Sequence, residues 1–406
     1  MAAATKSIGF GVTISTTYEA PYHLARRLST VDHLTNGRLG WNVVTGYLDS
    51  AARNLSNGAE NLGHDERYEM CEEYMEVVYK LMNASGRSDA VKLDRGSGVY
   101  TDPELVREIN HKGKHFTVPG THFCAPSPQR TPVIYQAGTS KAGKEFAARH
   151  AEAVFVSQHS PAAVAKNVAE IRSKAATLGR DPNSIKVLAK FCPVLGRTQE
   201  EADAKYRDYI QYGDYEGALA LFGGWTGVDM GPYGDDEELR YVESNAIRSY
   251  IEGLISTAPD VNGGKWTKQT LAEHIVVGGL GATCVGTAEK VADEMERWVE
   301  EGGVDGFNIA YALMPQTFED VIEMLVPELR RRGLFWEDYC APGGTYRENL
   351  YEQPGQREPP EAHPAAKLIW HPPAEGSHDE HGGANGDGCQ SGASSEIADW
   401  VLENLR

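Results

Sequence analysis

Short apolar runs and longer amphipathic stretches alternate along most of the chain. Runs rich in Val, Ile and aromatic residues predict strands, while apolar residues three and four positions apart, such as Leu24, Leu28 and Val31, predict helices. The predicted strands cover residues 8–15, 39–44, 132–138, 153–158, 185–195 and 306–313, and the predicted helices cover 21–34, 65–82, 140–150, 161–178, 288–301 and 317–332. Strands that alternate with helices in this way predict an α/β fold with a parallel sheet.

Two long segments interrupt the alternation. Residues 83–130 are predicted to be irregular, with a hairpin near residues 114–118, and residues 198–270 to form a mostly helical insertion. Long insertions in such folds usually lie on the strand-to-helix loops. We therefore expect both segments to cover the end of the sheet where a ligand would bind.

The composition changes after about residue 352. Residues 341–355 form a C-terminal extension of the predicted folded domain 1–340, and residues 356–406 are rich in Pro, Gly, His and Ser. The second segment is expected to be a disordered, low-complexity tail that ends in a short helix. Its histidines, including His363, match no metal-binding spacing, so we interpret them as solvated.

Net charge and cysteine usage narrow the class of protein. The 406 residues carry a formal net charge of −19, which argues against nucleic acid or an anionic membrane as a partner. No apolar run reaches the ~20 residues that span a bilayer. The six cysteines are scattered and form no CxxC pair, which suits reduced thiols and a cytoplasmic protein.

The stretch from Gly37 to Tyr68 has the pattern of a site. A predicted strand over residues 39–44 runs into a polar loop, which leads to His64-Asp65-Glu66-Arg67-Tyr68 at a helix start. His64 and Tyr68 are four residues apart, so their side chains share one helix face. The pair could hold the polar edge of a ligand, or it could be an exposed histidine beside a packed tyrosine.

A second candidate follows the predicted strand 132–138, where the sequence continues as Gly138-Thr139-Ser140. Free N–H groups at a helix start, together with a hydroxyl, bind phosphate well. The alternative is that Thr139 or Ser140 only caps the helix. Thr13, near the end of the first predicted strand, could likewise contact a ligand or simply end the strand.

Several common catalytic motifs are missing from the sequence. It contains no GxGxxG, no GxxxxGK[ST], no HExxH and no GxSxG. We therefore predict neither a metal site nor a catalytic nucleophile, and no catalytic residue is assigned. An enzyme of this kind leaves its chemistry to a cofactor.

Four sequence blocks resemble the bacterial luciferase-like flavin monooxygenases, in particular the nitrilotriacetate, EDTA and dibenzothiophene-sulfone branch. The blocks are GRLGWNVVTGYLDSAARN, HDERY, PVIYQAGTSKAGKEFAARHAEAVFV and GTAEKVADEMERWVEEGGVDGFNIA. The resemblance implies a TIM-type (β/α)8 barrel with its site at the carboxyl ends of the strands. It also implies reduced FMN (FMNH2) supplied by a separate NAD(P)H:flavin reductase, O2 as oxidant, a small organic substrate, and a homo-oligomer.

Four positions match residues that contact the flavin in that family. Thr13 corresponds to a hydroxyl at a strand end, His64 and Tyr68 to the His and Tyr of the HDERY block, and Ser140 to the hydroxyl near the FMN phosphate. The resemblance therefore implies that these four residues bind the cofactor.

The resemblance also implies that two βα units of the family precede the part that this sequence matches. We expect the barrel to be incomplete without them, because missing strands leave open sheet edges and one wall of the flavin pocket. The expected function is an FMNH2-dependent monooxygenase. The alternative is a non-catalytic, truncated remnant or an incomplete gene product of such an enzyme.

Overall fold

Seven strands form one parallel sheet, which confirms the predicted alternation of strands and helices. The structure is a computed structural model that describes residues 1–226, 229–239 and 265–372, and Met1–Trp370 form one compact unit. The strands of the sheet are β1 Phe10–Ser15, β2 Leu39–Val44, β7 Val133–Gln136, β8 Ala153–Val156, β9 Lys186–Leu195, β10 Ala282–Gly286 and β11 Gly306–Ile309. The order is β1-β2-β7-β8-β9-β10, and β11 also pairs with β9.

Strand β9 is long enough to pair with three neighbours. It pairs with β8 over its first residues, while β11 pairs with the stretch around Ala189 and Lys190. Phe191 is in register with Ala282 of β10 and with Ile309 of β11, so these two strands lie on opposite sides of β9. Strand β11 therefore forms one edge of the sheet and β1 the other, and each of them has one paired neighbour among the described strands.

Helices flank the sheet, several of them on its outer face. They are α1 Pro21–Leu34, α2 Asp49–Leu55, α3 His64–Tyr79, α4 Lys141–His150, α5 Pro161–Thr177, α6 Gln199–Ile210, α7 Tyr215–Thr226, α8 Lys268–Val276, α9 Ala288–Gly302, α10 Gln316–Asp320, α11 Val326–Arg331 and α12 Tyr346–Leu350. One buried cluster includes Trp41 and Tyr74 beneath α1 and α3, and another includes Phe191 and Trp298 beneath α5 and α9. None of the helices in the described ranges is long and apolar enough to cross a bilayer.

Two helix starts differ from the prediction or refine it. Helix α3 begins at His64 with Gly63 as its N-cap, one residue before the predicted start at residue 65. The Asp65 carboxylate instead lies 2.8 Å from His64 Nδ1. Helix α4 is capped by the Ser140 hydroxyl, which accepts a hydrogen bond from the Gly143 N–H.

The segments that interrupt the alternation have their own small elements. The first contains two antiparallel pairs, β3 Val91–Asp94 with β4 Val99–Thr101 and β5 His111–Lys112 with β6 Thr117–Val118, and the second pair confirms the predicted hairpin. In the second segment, α7 and α8 pack around a separate apolar cluster that contains Phe222 and Trp266.

The residues after α11 pack more tightly than their composition suggests. Tyr346 lies against Gly9 and Gly40, where an added Cβ would come within 2.7 Å and 3.0 Å of its ring. His363 is fully buried, and its Nε2 lies 2.7 Å from the His150 carbonyl oxygen. The interpretation of His363 as a solvated residue is therefore wrong. The predicted helix near residue 394 lies outside the described residues.

Candidate active site

Tyr68 and Ser140 meet beside Gln136 at the carboxyl end of β7. Tyr68 projects from the second turn of α3, Gln136 is the last residue of β7, and Ser140 caps α4. Burial raises the pKa of the Tyr68 phenol, while hydrogen bonding to the Ser140 and Gln136 side chains opposes this rise. The phenol therefore stays protonated at neutral pH and can donate a hydrogen bond to a ligand.

Two glycines allow these side chains to approach the backbone. A Cβ on Gly138 would lie 2.5 Å from Gln136 Nε2 and 2.7 Å from the Tyr68 hydroxyl oxygen. A Cβ on Gly143 would lie 2.9 Å from the same hydroxyl and 2.8 Å from the Gly138 carbonyl oxygen. The close backbone oxygen leaves room only for glycine at position 143, whereas a Cβ at position 138 would force the ends of the Gln136 and Tyr68 side chains to move. The loop and the first turn of α4 thus form a tight cradle.

The Ser140 side chain is exposed and also caps the start of α4. Its Oγ lies 3.1 Å from the Gly143 nitrogen, so the capping interpretation left open by the sequence holds in the structure. Capping does not exclude binding, since a hydroxyl has further hydrogen-bonding capacity and the first N–H groups of a helix lack intrahelical acceptors. The start of α4 therefore offers donors and a positive dipole end to an anion.

His64 lies beside Tyr68, as their spacing predicts. The two rings are 5.2 Å apart between centroids, which confirms that they share one face of α3. The His64 side chain is 49% exposed and bonds only to the neighbouring Asp65 among the described residues. The imidazole is therefore available to a ligand at the edge of the cradle.

Thr13 lies on the same sheet but away from these three residues. It stands in β1 in register with Asn42, whose next neighbour in register is Tyr135 of β7. Its Oγ1 accepts a hydrogen bond of 3.1 Å from Asn42 Nδ2. The structure thus brings His64, Tyr68 and Ser140 together, while the Thr13 side chain is hydrogen-bonded to Asn42 instead.

Gln136 and Asn42 are the polar residues that the candidate set omits. Gln136 is only 3% exposed, and its Oε1 has no hydrogen-bond partner among the described residues. Asn42 Oδ1 is also buried without a partner there. A buried, unpaired amide oxygen is unfavourable unless a ligand donates to it. The signal in the sequence was an amide at the end of an otherwise apolar strand.

These groups fit a phosphorylated, hydrogen-bonding cofactor. Hydroxyl, amide and imidazole groups lie around the two glycines beside the start of α4. The buried amide oxygens of Gln136 and Asn42 have no hydrogen-bond donor among the described residues. Among the described residues, no group of three His, Cys, Asp or Glu side chains is arranged to hold a metal ion. The arrangement places the chain among α/β enzymes that bind a ligand at the carboxyl ends of their parallel strands.

The chain belongs to the luciferase-like monooxygenase family, whose profile matches residues 1–306. It is therefore a flavin-dependent monooxygenase, in the branch that includes dibenzothiophene-sulfone and nitrilotriacetate monooxygenases. It is 49% identical to the dimethyl-sulfide monooxygenase of Hyphomicrobium sulfonivorans over 367 residues, which are 90% of this chain and 75% of the relative. It is 35% identical to nitrilotriacetate monooxygenase component A of Aminobacter aminovorans, over 86% of this chain and 76% of the relative.

Solved structures agree with this assignment. The crystal structure of DmoA from Hyphomicrobium sulfonivorans superimposes with a TM-score of 0.84 at 48% identity, covering 91% of this chain and 77% of that protein. Riboflavin lyase (RcaE), solved with modified FMN and riboflavin, superimposes with a TM-score of 0.79 at 34% identity. The match covers 91% of this chain and 79% of that protein. The fold of this chain is thus that of the family.

Proposed function

We propose that this protein binds reduced FMN at the cradle of Tyr68, Gln136 and Ser140 and uses O2 to oxidise a small organic substrate. The observation that carries the proposal is the cradle itself, in which Gly138 and Gly143 leave room only for close polar contact at the start of α4. When bound, reduced flavin supplies the electrons that activate O2. Riboflavin lyase, a structural neighbour, was solved with a modified FMN, which supports FMN as the flavin.

Each residue has a separate role in this proposal. Ser140 and the first N–H groups of α4 hold the phosphate, and the Tyr68 hydroxyl steadies it from α3. His64 contributes a further polar contact at the exposed rim. Thr13, with Asn42, lines the inner face of the sheet where the rest of the cofactor would extend. The buried Gln136 amide accepts a hydrogen bond from the cofactor, or donates one to it, at the bottom of the cradle.

The electrons need a separate source, because no second cofactor-binding motif occurs in the sequence. We propose an NAD(P)H:flavin reductase as that partner, in a two-component system located in the cytoplasm. The name of the Aminobacter relative, component A, supports a system of more than one component. We also propose that the protein forms a homo-oligomer.

The substrate differs among the relatives. Their names refer to dimethyl sulfide, long-chain alkanes, dibenzothiophene sulfone and nitrilotriacetate. The proposal therefore specifies a small organic molecule that enters from the carboxyl end of the sheet, where the insertion with α7 and α8 lies after β9.

We also propose that six of the seven strands belong to an eight-stranded barrel to which two further βα units contribute. Strand β10, which pairs only with residues 191–195 of β9, is then an additional strand. Support comes from the single pairing of β1 and β11 and from exposed apolar side chains in or just after these strands: Val12 of β1 is 41% exposed, and Leu313, four residues after β11, is 50% exposed. Fusing two βα units of a family member ahead of Met1 should raise the melting temperature. An unchanged melting temperature would contradict the barrel proposal.

The activity itself is tested by oxygen consumption. The purified chain, mixed with a flavin reductase, NADH and FMN, should consume O2 faster when a suitable substrate is added, with product formed in step. The reductase and FMN alone measure the background from free reduced flavin. Failure to couple oxygen uptake to any compound named for the relatives, in a protein that binds FMN, would contradict the proposed monooxygenation.

Replacing Ser140 by alanine should weaken FMN binding by ~1.5–3 kcal/mol, the usual contribution of a hydrogen bond to a charged group. The variant should also lose ~1 kcal/mol of stability, because the Ser140 hydroxyl caps α4. Titration by flavin fluorescence and by chemical denaturation measures the two effects separately.

The control for this variant is Thr287→Ala. Thr287 caps α9 by accepting a hydrogen bond from the Lys290 N–H and lies outside the cradle. It should show a similar loss of stability and the wild-type Kd for FMN. Equal Kd values for the wild type and for Ser140→Ala would remove Ser140 from the phosphate site.

A further inference from the structure

A second polar cluster lies at the mouth of the sheet, apart from the cradle. We call it the mouth cluster: Lys190 of β9, His159 after β8, and Trp266 and His274 of the α8 region. The His159 and His274 rings are 5.5 Å apart between centroids, and the Trp266 and His274 rings are also 5.5 Å apart, edge to face. The three rings thus form a continuous row, and Lys190 is near enough to His159 for its charge to add to the effects of burial and of His274 in lowering the pKa of that imidazole.

Lys190 points to the inner face of the sheet. Its neighbours Ala189 and Phe191 are buried in the outer core, and Leu188, two residues earlier, packs on the inner cluster with Tyr135 and Phe155. Side chains along a strand alternate between faces, so Lys190 shares the inner face with Leu188. Its methylenes pack on Gly281, where a Cβ would lie 2.9 Å from Lys190 Cδ.

Among the residues that the structure describes, no carboxylate pairs with the Lys190 ammonium. None of the salt bridges or hydrogen bonds of the described residues uses its Nζ, although the chain carries a net charge of −19. The Lys190 side chain is half-buried, and this burial lowers the pKa of its ammonium. A partly desolvated cation without a counter-ion is unfavourable, so a ligand that brings negative charge would be favoured there.

Two further donors in the cluster lack acceptors. Trp266 is fully buried, and its Nε1 has no hydrogen-bond partner among the described residues. His274 Nε2 is also buried and without a partner there. An indole N–H can only donate, so it requires an acceptor such as an oxygen. Ammonium, indole and imidazole together match the several lone pairs of an oxyanion.

This cluster is separate from the proposed phosphate site. The cradle follows β7, whereas Lys190 lies on β9, and β8 stands between them. Neighbouring strands are ~4.8 Å apart, so the two sites are on the order of 10 Å apart across the sheet. One phosphate at the start of α4 therefore leaves the mouth cluster open to a second anionic group.

We propose that the mouth cluster binds the carboxylate or sulfonate group of an acidic substrate, with Lys190 as the counter-ion and Trp266 and His274 as hydrogen-bond donors. This inference rests on the proposed monooxygenase function, since it names the substrate class of that reaction. Lys190 is a specificity-determining residue in this assignment, because it recognises a group of the substrate that does not react.

Calorimetric titration of the full chain with methanesulfonate tests the proposal. Dimethyl sulfone, which has a similar shape and no charge, is the matched ligand. The wild type should bind methanesulfonate in preference to dimethyl sulfone. Lys190→Met should weaken methanesulfonate binding about tenfold or more, and Lys190→Arg should retain most of it, since the positive charge remains. Trp266→Phe should show a smaller loss.

Lys186→Met is the control variant, because it removes the lysine that begins the same strand, four residues before Lys190. It should bind methanesulfonate like the wild type. Equal binding of the two probes by the wild type, or an unchanged affinity for methanesulfonate in Lys190→Met, would overturn the proposal.

FMN titration of the same proteins separates the possible outcomes. An unchanged Kd for FMN in Lys190→Met supports the assignment to the substrate. Weaker FMN binding in this variant would show that Lys190 binds an anionic group of the flavin, and it would overturn the proposed role of Lys190 in substrate binding. A wild type that does not bind FMN would contradict the proposed function, whatever its affinity for methanesulfonate.

Discussion

Arg347→Met is expected to lower the free energy of unfolding by ~3–5 kcal/mol, the cost of leaving one partner of a buried ion pair unpaired. Arg347 and Glu152 are both fully buried, with Nε to Oε2 at 2.7 Å and Nη2 to Oε1 at 2.8 Å. Arg347 also donates to the carbonyl oxygens of Thr131 and Gln129. The pair therefore joins α12 to the residues that precede β7 and β8, and chemical denaturation measures its contribution.

Two further variants show whether the effect belongs to the buried pair. Arg297→Met removes a guanidinium that pairs with Glu294 on a more exposed face of α9, so it should cost at most ~1 kcal/mol. A double variant, Arg347→Met with Glu152→Leu, should be more stable than Arg347→Met alone, because it removes the unpaired carboxylate. A loss of less than ~1 kcal/mol in Arg347→Met would show that water solvates Glu152 in the variant.

The ion pair of Arg347 and Glu152 also makes the free energy of unfolding depend on pH. Burial alone would raise the pKa of Glu152, but the charge and hydrogen bonds of Arg347 outweigh burial and hold this pKa below its ordinary value of 4.5. The unfolded chain then binds a proton at a higher pH than the folded chain does. The stabilisation is therefore present above pH ~4.5 and is lost as the pH falls further.

Acidification from pH 7 to pH 5 is expected to destabilise the protein steeply even before the carboxylates titrate. Burial lowers the pKa of His363 to about 3 and that of His122 to about 4, and it also lowers the pKa of His150. Each histidine binds a proton near pH 6.5 when unfolded but stays neutral when folded. Stability is therefore lost as the pH falls below ~6.5, by up to ~1.4 kcal/mol per pH unit for each such histidine.

His363 shows why the neutral form is required. Its Nε2 lies 2.7 Å from the His150 carbonyl oxygen and its Nδ1 accepts a hydrogen bond from the Ala365 N–H. A proton on Nδ1 would remove that acceptor and leave a buried charge. His363→Gln should therefore reduce the slope of stability against pH by about one proton.

Urea denaturation between pH 7.5 and pH 5 measures this slope. His23→Gln, at an exposed position of α1, is the control and should leave the slope unchanged. A wild-type stability that is flat across this range would show that the buried histidines gain their protons without unfolding.

Part of the candidate site could be predicted from the sequence because the signals are local. His64 and Tyr68 are four residues apart on a helix, and this spacing alone brings their rings together. Ser140 stands between an apolar strand and an amphipathic helix, and this position predicts a cap. The role of these residues and of Thr13 in flavin binding stays a prediction.

Other parts of the site depend on packing more than on a local signal. Gln136 ends an apolar strand, but its place in the site follows from α3, which brings the Tyr68 hydroxyl against it, with Gly138 and Gly143 leaving the space. The sequence also could not reveal that Lys190 forms no ion pair with any carboxylate in the described part of the chain, because that depends on which side chains the other strands bring to the inner face. His363 was misinterpreted since its burial comes from contacts with the distant His150.

The sequence by itself determined the order of strands and helices, the parallel sheet they form, and the family. Apolar periodicity, turn residues and caps act over a few residues, so they can be recognised without coordinates. Only the tertiary structure decided which polar groups are buried together: Arg347 with Glu152, 195 residues apart, Tyr68 with Gln136, and Lys190 with the row of His159, His274 and Trp266. The physical reason is that burial and pairing depend on long-range packing, which sets the energy of each charge and hydrogen bond.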